Sequence, residues 1–245
     1  MNTLSTYLHN FAFNVYPYLC LAVFFMGSLA RFDRDQYTWK SDSSQMLRAG
    51  QLRWGSNLFH GGILFLFFGH LFGQLTPHAV YEVFVTASQK QLLAVVAGGV
   101  AGLLCFIGLT LLLHRRIFDP RIRLTSHRTD IAILIILWVQ LVIGLSTLPA
   151  SLQHVENPTT MIQLANYLQG IATFRPDASL VVGTAWHFQA HMLLGMTIFL
   201  LFPFSRLVHV WSGFASVAYL FRPYQVVRSR RLNLPAGHNT PPVRN

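Results

Sequence analysis

The chain is poor in charged residues. Only 11% of its 245 residues are Asp, Glu, Lys or Arg, and just eight of them are acidic. An average soluble domain carries about 25% charged residues, so the composition argues against a soluble fold. Five stretches without any charge come near the length of about 20 residues that a membrane span needs: residues 11–30, 55–75, 91–113, 131–148 and 185–203. The sequence therefore predicts an all-α integral membrane protein, a bundle of five transmembrane helices surrounded by lipid.

Cysteine is equally scarce. Cys20 and Cys105 are the only two, both lie within predicted spans, and neither belongs to a CxxC or CxxCH motif. This excludes a covalently attached c-type haem and argues against a zinc ribbon or a cysteine-ligated iron–sulfur cluster. We expect both to be small buried hydrophobic residues. The first ten residues also lack Lys and Arg, so the basic region of a cleavable signal peptide is missing and the first span is expected to stay.

The basic residues are confined to three segments. The net charge is +10, and all of the 18 Lys and Arg residues except Lys90 and Arg175 follow the first, third or fifth span. Basic loops stay in the cytoplasm, which predicts the N-terminus outside and the C-terminus cytoplasmic. The charge thus indicates topology, and no nucleic-acid partner follows from it.

The chain reads as one membrane domain, residues 1–231, followed by a cytoplasmic tail. The tail, residues 232–245, is rich in Pro and Asn and is predicted to be disordered. On the outside, "TTMIQLANYLQGIATF" (residues 159–174) has apolar residues at helical spacing and predicts a surface helix. No convincing internal repeat is present, which weakens the case for an inverted-repeat transporter.

Four histidines occur in or beside two of the spans. His60 and His70 belong to the second span, and His191 and His209 to the fifth. An ionisable side chain in a membrane is costly, so it indicates function. The two spans run in opposite directions, which puts His60 level with His209 and His70 level with His191. Two facing imidazoles near each leaflet are what two bis-histidine haems b need.

The spacing of these histidines raises a difficulty. His191 and His209 are 18 residues apart, which on one helix gives five whole turns, a shared face and about 27 Å. His60 and His70 are ten residues apart, about 80° out of register and about 15 Å along the axis. Helix tilt, a kink near Pro203 and steeply inclined haem planes are the ways in which this difference could be absorbed. Nearby glycines either leave room for a flat macrocycle or only allow close helix packing: Gly61, Gly62, Gly69, Gly73 and Gly195.

Four runs resemble a known family. They are "RFDRDQYTWKSDSSQML" (31–47), "SNLFHGGILFLFFGHLFGQLTPH" (56–78), "HRRIFDPRIR" (114–123) and "HMLLGMTIFLLFPFSRLVHVWS" (191–212). They are similar to the membrane gamma subunit of respiratory nitrate reductase, a dihaem cytochrome b, and the likeness extends to about residue 231. The resemblance implies two non-covalent haems b, an outer one on His70 and His191 and an inner one on His60 and His209. A histidine at position 187 departs from the family pattern and leaves open whether His187 competes with His191.

The resemblance also implies an activity in the bacterial inner membrane. Quinol is oxidised near the outer haem, and its electrons pass through the inner haem to an iron–sulfur beta subunit and a molybdenum-containing alpha subunit. Those subunits lie on the cytoplasmic face and reduce nitrate to nitrite. Lys90 aligns with a lysine near the quinol site of the family.

Two further predictions concern basic side chains. Lys90 either donates a hydrogen bond to a quinone oxygen or only snorkels at the interface. Arg115 and Arg116 either pair with haem propionates or only mark the cytoplasmic side.

Two other classes of protein stay open at this point. A transporter or channel with a histidine proton relay predicts acidic partners within the spans, and the sequence has none. A purely structural anchor leaves the four histidines unexplained.

Overall fold

The computed structural model describes residues 3–34 and 49–211, and this part of the chain is helical without any β-strand. In chain order its α-helices are α1 (Thr3–Asn10), α2 (Tyr16–Arg34), α3 (Ala49–Leu75), α4 (His78–Tyr81), α5 (Ala87–Phe118), α6 (Pro120–Thr125), α7 (Arg128–Gln153), α8 (Thr159–Ala172) and α9 (Trp186–Leu201). A π-helical turn, Phe11–Val15, joins α1 to α2. The predicted disordered tail, residues 232–245, and the end of the predicted domain from residue 212 lie outside the described residues.

The prediction of five spans is confirmed. Within the described residues, five helical segments are long and apolar enough to cross a membrane: Thr3–Arg34, Gly50–Leu75, Ala87–Phe118, Arg128–Gln153 and Trp186–Phe204. Most extend beyond the charge-free stretches because arginines such as Arg31 and Arg115 continue the helix past the apolar part. Long basic side chains allow this, since they reach the interface while their stems lie against apolar surface.

Local signals fix several helix ends. Thr86 and Gln89 form a capping box at the start of α5, with hydrogen bonds of 3.3 and 3.0 Å between side chain and backbone. Asp119 caps α6 through the amides of Arg121 and Ile122, and Pro120 takes the first helical position, where no amide is needed. These caps make the two short connections at the ends of α5 well defined.

The spanning helices pack in a definite order. α3 packs on α5, α5 on α7, α7 on α9, and α9 on α2. Glycine allows α3 and α5 to approach closely, because a methyl group at Gly62 would lie 2.7 Å from Cβ of Cys105. Cys20 and Cys105 are free and buried, as predicted. α3 and α2 are the two ends of this series, and α9 packs between α7 and α2.

The predicted surface helix is confirmed as α8, and it also stabilises the break in the first span. Pro17 has no amide, so it cannot donate to the Phe13 carbonyl four residues earlier. The Tyr167 hydroxyl of α8 donates to that carbonyl at 2.6 Å. The ring of Tyr167 is buried, which raises the pKa of its hydroxyl. α8 therefore fastens the first span, and Gln169 extends the contact to α3 through the Gln74 carbonyl at 2.9 Å.

The bundle has two unlike ends. One end contains the C-terminal ends of α2 and α5, the start of α7 and the segment after α9, and we call it the basic end. The other contains α4 and α8, and we call it the opposite end. α3 runs from the basic end to the opposite end, and α9 runs back.

Candidate cofactor site

The structure brings together the histidines that the topology pairs. The ring centres of His60 and His209 are 6.3 Å apart at the basic end, and those of His70 and His191 are 6.2 Å apart toward the opposite end. His187, one turn before His191, has ring contacts with Trp186 and Phe188 only, among the described residues. His191 is therefore the histidine that faces His70.

All four paired rings use the same nitrogen, Nδ1, for a bond to the protein backbone. In each, Nδ1 lies within hydrogen-bond distance of a backbone carbonyl, and a carbonyl only accepts, so Nδ1 carries the proton. The accepting carbonyls belong to Ser56, Leu66, Gln140 and Arg206, at 2.8, 2.7, 3.2 and 2.6 Å. Nε2 is left with a lone pair, as in histidines that bind metals, and in His191 it lies 3.5 Å from the side-chain amide nitrogen of Gln140. His154 makes the same bond to Ala150 but faces no other ring among the described residues, so the pairing is the distinctive feature.

The separation of each pair fits an iron atom between two imidazoles. Two metal–nitrogen bonds of about 2 Å each and two ring radii of about 1.1 Å each account for a distance of about 6 Å between ring centres. No group of three or more His, Cys, Asp or Glu side chains in the described part of the chain is placed to hold a metal ion. Two protein ligands for each iron suit a porphyrin, whose four nitrogens supply the others.

The mismatch in spacing has a simple cause. α9 ends at Leu201, which is ten residues after His191, and His60 and His70 are also ten residues apart. Pro203 cannot continue the helix, and two short 3-10 turns follow, Phe202–Phe204 and Arg206–Val208. A kink near Pro203 was one way to absorb the mismatch, and the structure instead ends the helix there. The assumption that His209 shares a helix face with His191 is wrong, because His209 follows the second turn.

The glycines near the histidines divide between the two interpretations. A methyl group on Gly61, Gly69 or Gly73 would meet no atom within 4 Å, so these glycines border open space beside the exposed rings of α3. Gly62 and Gly195 instead serve packing. A methyl group on Gly195 would lie 3.2 Å from Nε2 of Gln140.

Sequence reasoning missed two neighbours of His191. Gln140 of α7 accepts from Nδ1 of His191 with its carbonyl and donates from its side chain to the His191 carbonyl at 3.0 Å. A methyl group at Gly144 would lie 2.7 Å from Cε1 of His191, so only glycine leaves room for the ring. The one available signal was a glutamine inside an otherwise apolar span.

An ionic cluster lies beside His209 at the basic end. Oδ2 of Asp130 accepts from Arg116 at 3.2 Å and from Arg206 at 3.4 Å. Arg116 also donates to the Ser126 hydroxyl at 3.1 Å. Arg115 is 2% exposed, close to the end of α5. The structure thus gives Arg116 an acidic partner within the protein, and the pairing of Arg115 and Arg116 with propionates stays a prediction.

Lys90 lies at the opposite end, in the first turn of α5. Its Nζ is 3.5 Å from the centre of the Tyr81 ring, a cation–π contact. Gly62 lies against Cys105 and Gly55 against Leu111, a register that puts Lys90 level with the end of α3. Lys90 is therefore about six to seven residues, or about 10 Å, farther toward the opposite end than His70.

Comparison with known proteins decides the family. The family model described as nitrate reductase gamma subunit matches residues 9–230. The chain belongs to this family. It is 52% identical over 227 residues to the respiratory nitrate reductase 2 gamma chain of Escherichia coli K12, covering 92% of this chain and 99% of the relative. It is 49% identical over 225 residues to the respiratory nitrate reductase 1 gamma chain of the same organism, covering 91% and 99%.

The likeness also reaches a more distant bacterium. The nitrate reductase gamma chain of Bacillus subtilis 168 is 36% identical over 219 residues, which cover 88% of this chain and 96% of the relative. The resemblance inferred from the four sequence runs is thereby confirmed. Membership makes this membrane chain a subunit of an oxidoreductase complex with other nitrate reductase subunits.

Proposed function

We propose that this gamma subunit is a dihaem cytochrome b that oxidises quinol and delivers the electrons to cytoplasmic nitrate-reducing subunits. The observation that carries the proposal is the pair of facing histidine pairs, 6.3 and 6.2 Å between ring centres, with every Nδ1 bonded to a carbonyl. His60 and His209 hold the inner haem b, and His70 and His191 hold the outer one, both without covalent attachment. Each bound iron takes up and releases one electron.

The protein supplies orientation and neutral ligands for this chemistry. The carbonyl bonds fix each imidazole in the tautomer whose Nε2 has a lone pair for iron, and they also make that nitrogen a stronger donor. Neutral imidazoles suit a membrane interior, because a protonated one would be costly there.

The orientation follows from the charges. The basic end carries most of the arginines, so it faces the cytoplasm of the bacterial inner membrane and the N-terminus lies outside. The iron–sulfur beta subunit and the molybdenum-containing alpha subunit dock there. We expect the isolated chain to make no nitrite from quinol and nitrate, because it has no cysteine cluster and no molybdenum domain. Turnover by the purified chain alone would contradict this division of labour.

Quinol oxidation belongs at the opposite end. Quinol is apolar but releases two protons with its two electrons, so its site needs access to both lipid and water. Gly69 and Gly73 border open space there, and the Lys90 ammonium lies one to two turns beyond His70. Lys90 donates a hydrogen bond to a quinone oxygen on leaving the Tyr81 ring. Protons released here leave on the outer side.

Propionate pairing is the smaller part of the proposal. Arg115 and Arg116 are at the basic end of α5, on the side of the His60–His209 pair, and an arginine fork suits a carboxylate. Nη1 of Arg116 donates to Asp130 and to Ser126. We assign the other N–H groups of its guanidinium to a haem propionate.

The contacts of the histidines also bear on the alternatives. A proton-relaying transporter requires carboxylates bonded to the membrane histidines, whereas Nδ1 of all four bonds to a backbone carbonyl and the Asp130 carboxylate pairs with Arg116 and Arg206. A structural anchor gives no reason for two facing pairs.

The direct test is a reduced-minus-oxidised spectrum with haem quantification on the native complex. We expect b-type bands and two haems for each gamma chain. His154→Ala is the matched control, since His154 makes the same carbonyl bond but faces no ring in the described part of the chain. The proposal fails when the complex holds no b-type haem, or when alanine at any of the four paired positions leaves both haems in place.

A further inference from the structure

His209 is held differently from the other three paired histidines. The carbonyls that accept from His60, His70 and His191 belong to Ser56 and Leu66 of α3 and to Gln140 of α7, all within long helices. The carbonyl that accepts from His209 belongs to Arg206, in a 3-10 turn after α9. A three-residue turn has little rigidity of its own, so other contacts must fix this carbonyl.

Two of those contacts come from one arginine of the first span. Arg31 donates to the carbonyls of Pro203 and Ser205 at 2.7 and 3.0 Å. The Ser205 hydroxyl then accepts from the Leu207 amide at 3.2 Å and caps the second turn. These bonds hold the beginning of the segment, up to Ser205.

A further contact comes from Asp130. Its Oδ2 is 3.4 Å from Nη1 of Arg206 and 3.2 Å from Nη1 of Arg116. Asp130 is only 8% exposed, so one shielded carboxylate oxygen ties α5 and α7 to the turn that orients His209. A shielded charge that loses a partner costs far more than an exposed one, which makes this tie firm.

The geometry points to Asp130 as a positioning residue for the inner haem, acting through Arg206 on His209. The inference rests on the proposed function, because it needs His209 to be a haem ligand. Asp130 holds the Arg206 side chain, the Arg206 carbonyl holds Nδ1 of His209, and the His209 ring is thereby kept at 75° to the His60 ring. Asp130 also offsets the positive charge of Arg116 and Arg206, of which Arg206 bonds His209.

The test compares Asp130→Asn with Asp130→Glu in the native complex, by redox titration of both haems and by the low-spin electron paramagnetic resonance of each iron. Asparagine removes a negative charge, and the reduced haem carries one positive charge less, so the inner midpoint potential should shift upward. The inner resonance should also change, since it depends on the angle between the imidazole planes. The outer haem is the internal control, and glutamate should restore most of both signals.

A second pair of variants keeps the test decisive where Asp130→Asn does not assemble. Arg206→Gln removes a positive charge from the same link, so the inner potential should shift downward with a similar change of resonance. Ser126→Ala removes a different contact of Arg116 and should leave both signals unchanged.

The inference is overturned when the inner haem of Asp130→Asn keeps its wild-type potential and resonance, or when both haems shift equally. A wild-type complex without two bis-histidine haems would instead defeat the proposed function. The two failures are therefore distinguishable.

Discussion

The two histidine pairs have nearly equal ring separations but are built from different parts. The pair toward the opposite end lies wholly on the long helices α3 and α9, and its neighbours on α7 are neutral, Gln140 and Gly144. The pair at the basic end has one member on α3 and the other, His209, beyond the end of α9 in a segment held by charged side chains. The ring planes are 39° apart in the first pair and 75° apart in the second. Equal ligand spacing can thus come from helix rigidity or from an ionic clamp on a turn.

Replacing a single histidine ligand should have the largest effect, and it should affect only one of the two haems. His60→Ala or His209→Ala is expected to abolish the inner haem and leave the outer one largely in place, whereas His70→Ala or His191→Ala should do the reverse. Each iron loses one axial ligand, and the two pairs share none. Haem quantification with low-temperature difference spectra measures this. Spectra that stay unchanged in either inner variant would show that the pairing is wrong.

Crowding one ring should affect only the outer pair. Gly144→Ala places a methyl group 2.7 Å from Cε1 of His191, too close for the ring to stay where it is. We expect the outer haem to be bound more weakly and its spectrum to shift, with the inner haem unchanged. The matched control is Gly98→Ala, because a methyl group there meets no atom within 4 Å. Equal behaviour of the two variants would mean that Gly144 is not a determinant of the outer site.

Removing the Lys90 ammonium should leave both pairs intact but slow their reduction. Lys90→Ala is expected to lower quinol-dependent reduction of both haems, because both receive electrons from the same site. Electron delivery from an artificial donor to the cytoplasmic subunits should be unaffected. Stopped-flow haem reduction with quinol measures the effect. Normal rate and affinity in Lys90→Ala would make the lysine only an interfacial anchor of the Tyr81 ring.

The smallest expected effect concerns stability at the opposite end. Tyr167→Phe leaves the Phe13 carbonyl without its hydroxyl donor, which costs about 1–3 kcal/mol for a buried group. The midpoint of thermal unfolding should fall, with haem content unchanged. Tyr18→Phe, which removes a more exposed hydroxyl bond to the Ile171 carbonyl, is the control and should cost less. A larger fall in the unfolding midpoint for Tyr18→Phe than for Tyr167→Phe would contradict this ranking of the two hydrogen bonds.

The sequence alone determined the spans and the pairing of the histidines. Both follow from local properties, since a charge-free stretch of about 20 residues is sufficient for a span and alternating direction decides which residues are level. The five spans, the α8 helix and the facing of His60 with His209 and His70 with His191 were predictable for this reason. The family was predictable from four long runs of residues.

Only the tertiary structure decided how the histidines are held. The helical spacing in the sequence predicted one helix from His191 to His209. In the structure α9 ends at Leu201, and His209 follows a 3-10 turn. Gln140 and Gly144 meet His191 from 51 and 47 positions earlier in the chain, and Asp130 meets Arg206 from 76 positions earlier. Such contacts depend on which helices pack side by side, and hydrophobic periodicity carries no information on that choice.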